Sequence, residues 1–459
     1  MKNLIILYCC LFFVNSYGQN FGEQQVISME VTNNTNVFAI DINGDTTIDV
    51  FTFSSIDNKL VWFNNTDGLG TFGSEEIIND SLILPRDAFL ADIDDDGDID
   101  VVVVSRNPEY VKKLAWYENI DGLGTFGEEQ IISVDDFDFL SLSTADIDND
   151  GDIDIFASVF KKLIWFENMD GQGSFNSGII ISDSEDGFKY LYNYPVDIDG
   201  DNDIDIISAS YYDEIIWYEN TDGQGTFGVE NIITINNLDI VKDIFAADLD
   251  GDGDMDVLSA SRNDGKIAWY ENTDGLGTFG EQQLISGPEE QYAFSVVAAD
   301  IDNDGDMDVI SGRGDDFVSW YENTDGMGNF SEATIISTEV DGVTSVFAVD
   351  INNDGYIDVL SASFFDNKIA WYENMGELSI NEFDKTNINI YPNPVKNTLQ
   401  ISIENNITIK YIQVFDVVGK LLLQTNSTNQ LDVSAFASGL LFVKIATDKG
   451  VVVKKIIKE

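Results

Sequence analysis

A nine-residue pattern of aspartates, D-x-[DN]-x-D-x-x-x-D, returns seven times in this chain, beginning at Asp41, Asp92, Asp146, Asp197, Asp248, Asp300 and Asp350, at steps of 51, 54, 51, 51, 52 and 50 residues. The densest copy lies in Ala91–Asp100, which packs six aspartates into ten residues. A second motif keeps the same beat. All seven tryptophans (Trp62, Trp116, Trp165, Trp217, Trp269, Trp320 and Trp371) open a W-[YF]-[EN]-N segment, and six of these continue into a D-G-x-G turn and a phenylalanine. Seven near-identical units of about 50 residues must stack on one another, because no single unit can bury its own apolar face.

Each unit reads as four short strands. One enters the acidic loop, one leaves it, a third carries the tryptophan, and a fourth follows the glycine turn through segments such as Phe279–Ser286. Period-two alternation, D-G and G-x-G turns and the lack of a long 3.6-residue pattern argue for β structure throughout. The chain opens with a lone fourth strand, FGEQQVIS at residues 21–28, and the seventh copy stops at Trp371–Asn374 without one. The N-terminal strand is therefore expected to complete the last unit. The expected fold is all-β: a seven-bladed β-propeller over residues 20–376, with no sheet edge left open at the seam.

The acidic loops have the spacing of an oxygen-only metal site, with side chains at positions 1, 3, 5 and 9, a carbonyl at position 7 and a bend at position 6. The candidate ligands, copy by copy, are Asp41, Asn43, Asp45 and Asp49; Asp92, Asp94, Asp96 and Asp100; Asp146, Asp148, Asp150 and Asp154; Asp197, Asp199, Asp201 and Asp205; Asp248, Asp250, Asp252 and Asp256; Asp300, Asp302, Asp304 and Asp308; Asp350, Asn352, Asp354 and Asp358. Hard oxygen ligands on a flexible loop suit Ca2+, up to seven ions; transition metals want imidazole or thiolate. The loops are not EF-hands: position 12 of the second copy is Val103, and strands flank it. Sites 1, 4 and 7 are expected to bind more weakly, because they carry Asn43 and Thr46, Asn202, and Asn352 and Tyr356. Position 8, always Ile or Met (Ile48, Ile99, Ile153, Ile204, Met255, Met307 and Ile357), is expected to plug the core and anchor the loop. The tryptophan segments are expected to pack between units.

Such metal would answer a charge problem. The 459 residues carry 83 acidic and 23 basic side chains, a net charge of -60, with no histidine. Nucleic acid is excluded as a partner on charge, while 44% hydrophobic and 12% aromatic residues exclude a disordered chain. Residues 1–18 carry Lys2, an apolar run over Leu4–Val14 and a Ser16-Tyr17-Gly18 end, and read as a signal peptide. No segment is long and apolar enough for a transmembrane helix. Both cysteines, Cys9 and Cys10, fall in the signal. The composition shifts after Met375: residues 377–459 hold 9 basic and 8 acidic side chains, against 13 and 75 in residues 20–376. A linker over 377–386 and a small C-terminal β-sandwich over 387–459 are expected, with turns at Pro392-Asn393-Pro394, Gly419, Gly439 and Gly450.

In a four-stranded blade, the acidic loops and glycine turns share one face and the irregular loops the other. All 13 basic residues of 20–376 fall on the irregular face: Lys59, Arg86, Arg106, Lys112, Lys113, Lys161, Lys162, Lys189, Lys242, Arg262, Lys266, Arg313 and Lys368. Tyr110, Phe160, Tyr211, Tyr212, Phe364 and Phe365 join them as exposed aromatics. A glycan or protein ligand is expected there, since varied loops on a rigid frame commonly carry function. Arg313-Gly314-Asp315 spells an adhesion tripeptide, but three residues are too short a match to use.

The aspartate loops and phenylalanine-glycine pairs, such as Phe72-Gly73, Phe126-Gly127, Phe227-Gly228 and Phe279-Gly280, resemble the FG-GAP and VCBS-type repeats of integrin α-subunit heads and bacterial surface proteins. The resemblance implies calcium at positions 1, 3, 5 and 9 of each copy. It leaves the ligand open, because relatives include adhesins, lectin-like modules and polysaccharide lyases. The tail resembles the C-terminal sorting domain of type IX secretion, through Tyr391-Pro392-Asn393-Pro394, YIQVFDVVGK ending at Lys420, LDVSAFASG at 431–439 and KKIIK at 454–458, with Leu441 where that family usually has tyrosine. It implies handling by the type IX machinery and a secreted or outer-surface location. The leading function is a non-enzymatic, calcium-binding adhesion or binding module; the alternative is a lyase-like polysaccharide-acting enzyme. Without histidine, Ser-His-Asp and Cys-His catalysis is excluded.

Overall fold

The computed structural model describes residues 19–459 except 108, 110, 135–138, 185–191, 211–213, 236–238, 288–291, 378–387, 404–408, 416–419, 426–429 and 448–450. The signal segment, Lys189, Tyr110, Tyr211, Tyr212, Gly419, Gly450 and the linker beyond Glu377 thus lie outside the described residues. Two compact units are present, one of them Gly18–Gly376, the other containing Glu377–Glu459. All elements among the described residues are β-strands.

Seven four-stranded antiparallel sheets make up the larger unit, six of them in simple up-and-down order and each open at both edges. The seventh takes its outer strand from the other end of the sequence: Gln25–Ser28 pairs with Lys368–Tyr372, with Gln25 opposite Trp371. A short extra pairing joins Gln19–Phe21 to Asn374–Glu377.

Burial grades across each sheet. Second strands, such as Asp256–Ser261 and Asp358–Ser363, are buried at every position. Both faces of these strands meet neighbouring sheets, which explains why they read as unbroken apolar and small residues rather than as an alternation. Outer strands such as Glu76–Asn79 and Gln283–Ser286 are largely exposed. Each outer strand carries a register shift, as between Leu284 and Ser286, and between Val26 and Ser28. A bulge of this kind twists an edge away from further pairing.

The apolar cores lie between sheets. Each cluster draws from two consecutive sheets and includes a tryptophan. Trp62 packs with Leu90 and Val101 of the next sheet, and Trp217 with Val241 and Val257. One cluster joins the last sheet to the first, through Leu360, Trp371, Val37 and Val50. Innermost strands are cross-linked as well: Asp87 accepts the Leu142 N–H at 2.7 Å, Asp243 that of Val296 at 3.0 Å, and Ser345 of the last sheet that of Val37 in the first at 3.3 Å.

The smaller unit has a three-stranded sheet (Ile388–Tyr391, Thr398–Ile403, Gln430–Asp432) and a four-stranded one (Leu421–Thr425, Ile409–Phe415, Gly439–Thr447, Val451–Lys458). A single core serves both, with Leu399 and Ile401 from one sheet meeting Ile412, Val414, Val443 and Ile445 from the other.

Candidate metal centre

The acidic turns are wound by their own carboxylates. In the second copy Asp92 accepts the N–H groups of Asp96 and Gly97 at 3.2 and 3.0 Å, and Asp96 accepts that of Asp98 at 3.0 Å. The seventh repeats this at Asp350 and Asp354, with 3.1, 2.8 and 2.9 Å. Position 6 takes a left-handed backbone, with φ of 91° at Gly97 and 100° at Gly305. A Cβ at either glycine would meet nothing within 4 Å, so glycine answers the dihedral there rather than a lack of room. Thr46 and Asn202 are forced into the same region, at 72° and 73°. For β-branched Thr46 that is strain.

Convergence of oxygens differs between copies. Carboxylate atoms of Asp92, Asp94 and Asp96 lie within 4.8 Å of one another, as do those of Asp146, Asp148 and Asp150, and of Asp300, Asp302 and Asp304. In the fourth and fifth copies the triplets are Asp197, Asp199 and Asp205, and Asp248, Asp250 and Asp256. The first and seventh copies form no such triplet of acids among the described residues; there the Asn43 and Asn352 amide oxygens each accept a backbone N–H at 3.0 Å.

Three loops hold an orphan. Oδ1 of Asp94, Asp148 and Asp199 is buried without a hydrogen-bond partner. Burial first, then neighbouring aspartates, pushes the acids of Asp94, Asp148 and Asp199 up to about 6. A buried oxygen with no donor, facing other carboxylates, costs free energy. A hard cation would relieve it, so these residues fit one.

Position 9 has a second job. Asp100 is fully buried; one oxygen accepts the Ile93 N–H at 2.9 Å and the other the Asn119 N–H at 2.8 Å. All seven position-9 aspartates make this pair of bonds, down to Asp358 with Ile351 and Asn374 at 3.0 and 2.7 Å. Burial raises the Asp49 acid to about 6 and those of Asp100, Asp154, Asp205, Asp256, Asp308 and Asp358 to about 7, against the pull of those N–H donors.

The anchoring role expected of position 8 is shared with position 2: Ile48, Ile99, Ile153 and Ile357 pack, partly buried, against the cores between sheets, but position 2 is buried more fully. Met255 and Met307 are 37% and 38% exposed, whereas Ile42, Ile93, Ile147, Ile198, Leu249, Ile301 and Ile351 are at most 1% exposed. The reason is local: position 9 fixes the backbone of position 2 and so turns its side chain into the seam between sheets.

Sequence reasoning also missed the asparagine closing each W-[YF]-[EN]-N segment. Asn119 donates to the Ile42 carbonyl of the preceding sheet at 2.8 Å, and its own oxygen accepts the Gly124 N–H at 3.1 Å. The first link to the same carbonyl position recurs at Asn168, Asn220, Asn272, Asn323 and Asn374, and Asn65 makes it to Ile351, from the first sheet to the last. The available signal was the asparagine's presence in every copy. The tryptophans do pack between sheets: a Cβ at Gly124 would collide with the Trp62 ring, and one at Gly70 with Trp371.

On the irregular face, several lysines are already committed: Lys59 to Glu75 at 2.6 Å, Lys113 to Glu129, Lys266 to Asp264 at 2.9 Å and Lys368 to Asp366 at 3.0 Å. Phe160 and Phe365 are 40% and 70% exposed. Arg313 is 2% exposed and paired with Asp315 at 3.1 Å, so the Arg-Gly-Asp tripeptide is not presented for adhesion. Arg262 and Lys242 converge on one ring, Phe294, at 5.5 and 5.9 Å.

A family model described as FG-GAP-like repeat matches residues 92–157, 197–259, 248–311 and 300–361, and one described as a secretion system C-terminal sorting domain matches 389–459. No curated protein matches. Among solved structures, an Agrocybe aegerita lectin described as recognising non-reducing terminal N-acetylglucosamine is similar at 22% identity and a TM-score of 0.51, over 66% of this chain and 81% of the lectin. BBS1N in complex with ARL6DN, soaked with mercury or lead, is similar at 10% identity and TM-scores of 0.51 and 0.52, over 78% of this chain and 96% of that one. These likenesses speak to a propeller-like fold alone. With two repeated motifs in register, acidic turns wound as metal-type loops and family models that span half the chain, this protein belongs to the FG-GAP-like repeat family and ends in a type IX secretion C-terminal sorting domain.

Proposed function

We propose that this chain is an exported, calcium-stabilised seven-bladed propeller that acts as a cell-surface or secreted binding module for glycan or protein, through its irregular loop face. Seven sheets, each packed on the next and the last on the first, support the ring. Residues 1–18 would direct export, 377–386 would link, and 387–459 would form a two-layer sandwich read by the type IX machinery. Calcium would be held by positions 1, 3, 5 and 9 of each acidic turn, with the first, fourth and seventh sites weaker. Bound there, it supplies positive charge to carboxylates that otherwise repel; extracellular modules hold calcium with dissociation constants on the order of 0.1–1 mM.

The observation carrying the reading is the division of labour between faces. The acidic turns and their hydrogen bonds repeat almost without change, while cations and aromatics gather on loops that differ from copy to copy. A fold relative that recognises a terminal sugar makes glycans the first class to test. A glycan array probed with the calcium-loaded protein should give binding that is lost on mutating irregular-face residues and spared by mutating acidic-turn residues of the first or seventh copy. Release of new unsaturated sugar ends in the same screen would replace this reading with the lyase-like one.

A further inference from the structure

Cations gather at one end of the innermost strands. Those strands finish opposite the last loop aspartates, with Ala91 opposite Asp100, Ala247 opposite Asp256 and Ala299 opposite Asp308. Five residues before these ends, away from the acidic turns, stand Arg86, Lys242 and Phe294. Arg262 follows Asp256–Ser261, the strand beside that of Lys242. Its N–H donates to the Ile240 carbonyl at 2.8 Å, and its own carbonyl accepts the Tyr292 N–H of the next sheet at 3.0 Å. The Arg262 guanidinium thereby lies 5.5 Å from the centre of the Phe294 ring and 6.0 Å from that of Tyr292, and the Lys242 ammonium lies 5.9 Å from the Phe294 centre.

What these two cations lack is an acid. Neither forms an ion pair among the described residues, in a chain of net charge -60. Asp243, beside Lys242 in the sequence, gives its oxygens to the Val296 and Ile244 N–H groups and the Ser295 hydroxyl. Asp264 is taken by Lys266 and the Ser261 hydroxyl. An aromatic face attracts a cation but carries no net charge, so Phe294 does not neutralise the pair. Burial, then the charges of Arg262 and Arg86, hold the Lys242 ammonium below the usual lysine range. Arg86 has interactions of its own and adds only its field. Further along the same strands, Phe38 meets Phe89 and Phe347 at 5.6 and 6.5 Å, and Tyr194 meets Phe245 at 5.2 Å. The cations thus stand above an apolar floor, with Arg262 exposed and Tyr292 40% exposed on the irregular side.

We infer that Lys242 and Arg262 bind the anionic group of a terminal sugar, a carboxylate or a sulfate, at the mouth of the propeller axis, with Tyr292 beside the sugar ring. The inference rests on the ring and on the glycan half of the function proposed above. A guanidinium matches the paired oxygens of either anion, and an ammonium adds a second charge. The acidic excess of the whole chain repels a partner with many carboxylates, whereas a neutral saccharide ending in one charged unit brings the missing anion without that repulsion.

The test is calorimetric titration of the full calcium-loaded chain with an oligosaccharide ending in glucuronate, its counterpart ending in a sulfated sugar, the neutral parent oligosaccharide and a glutamate-rich peptide. The charged saccharides should bind and the neutral parent should not; the tighter arm identifies the anion. Arg262→Gln and Lys242→Gln should each weaken binding roughly 10- to 100-fold, the loss of one charge-assisted bond. Neither should lower the melting temperature, because neither removes an ion pair. Lys59→Gln, on the first sheet of the same face, should bind as the unmodified chain does. Charged-saccharide binding that ignores both Arg262→Gln and Lys242→Gln overturns the site and leaves the glycan reading standing, as does equal binding of the neutral parent. Capture of the peptide in place of the saccharides overturns the sugar assignment, and no binding to any saccharide sinks the inference together with the glycan reading.

Discussion

Asp92 and Asp350, some 250 residues apart, are held by the same two backbone donors at the same loop positions. Ser105 and Ser261, equally equivalent by register, share no hydrogen-bond partner at all. The first pair lies on the acidic-turn face, the second on the irregular face. Their contrast separates a repeated joint from a varied one. At one end of each sheet the turns are wound by their own carboxylates, and one asparagine per copy ties each to the preceding sheet in the same way every time. At the other end the bonds between copies differ, the Leu84 N–H donating to Asn58 in one place and the Gly342 N–H to Asp316 in another.

Removing calcium should break the acidic-turn face hardest. With ligand at 100 times its dissociation constant each occupied site adds about 2.7 kcal/mol, so excess chelator should lower the melting temperature more than any single substitution. An unchanged melt would remove metal from the account. Next comes the joint itself. Gly277→Val would drive a branched side chain into the Trp217 ring from a residue whose φ is 77°, and a loss of roughly 3 kcal/mol or more is expected in urea unfolding. Asn272→Ala, which leaves the buried Ile198 carbonyl without its donor, should cost about 1–3 kcal/mol.

Acid provides a sharper probe. The position-9 acids are raised by burial from 3.8 to about 6 at Asp49 and about 7 at Asp100 and its equivalents. In chelator the folded state therefore holds more protons than the unfolded chain between about 4 and 7, and stability falls as pH rises through that window. Calcium should flatten or reverse the trend, because ion and proton compete for the same oxygens. Melting curves at pH 5 and pH 8, with and without calcium, read this directly. The smallest effect belongs to the irregular face. Lys266→Gln, which removes a partly exposed ion pair with Asp264, should change stability by less than about 1 kcal/mol.

Much of this contrast was legible in the residues alone. The repeat length, the strand pattern and the loop aspartates all follow from short-range rules: a D-G turn, a period of two, a run of oxygens at alternate positions. The asparagine of W-[YF]-[EN]-N was visible as a constant but not as a joint, since its carbonyl acceptor lies more than 70 residues away in the preceding sheet. The share of position 2 in anchoring the loop was missed for a related reason. Ile and Met at position 8 look like the core anchors in isolation, but that position 2 turns inward more fully depends on which N–H the buried carboxylate holds, and that is a matter of loop closure.

The sequence by itself determined the units: their number, their strands, their acidic turns and the change of composition after Met375. Tertiary structure decided how the units are joined. It gave position 9 two backbone donors, committed several irregular-face lysines to acids, buried Arg313 at a strand end against Asp315 and left the Ser105 hydroxyl without a hydrogen-bond partner. The physical reason is one of range. Turns and strand periods are set by neighbours along the chain, whereas burial, hydrogen-bond satisfaction and charge pairing depend on which sheet packs against which.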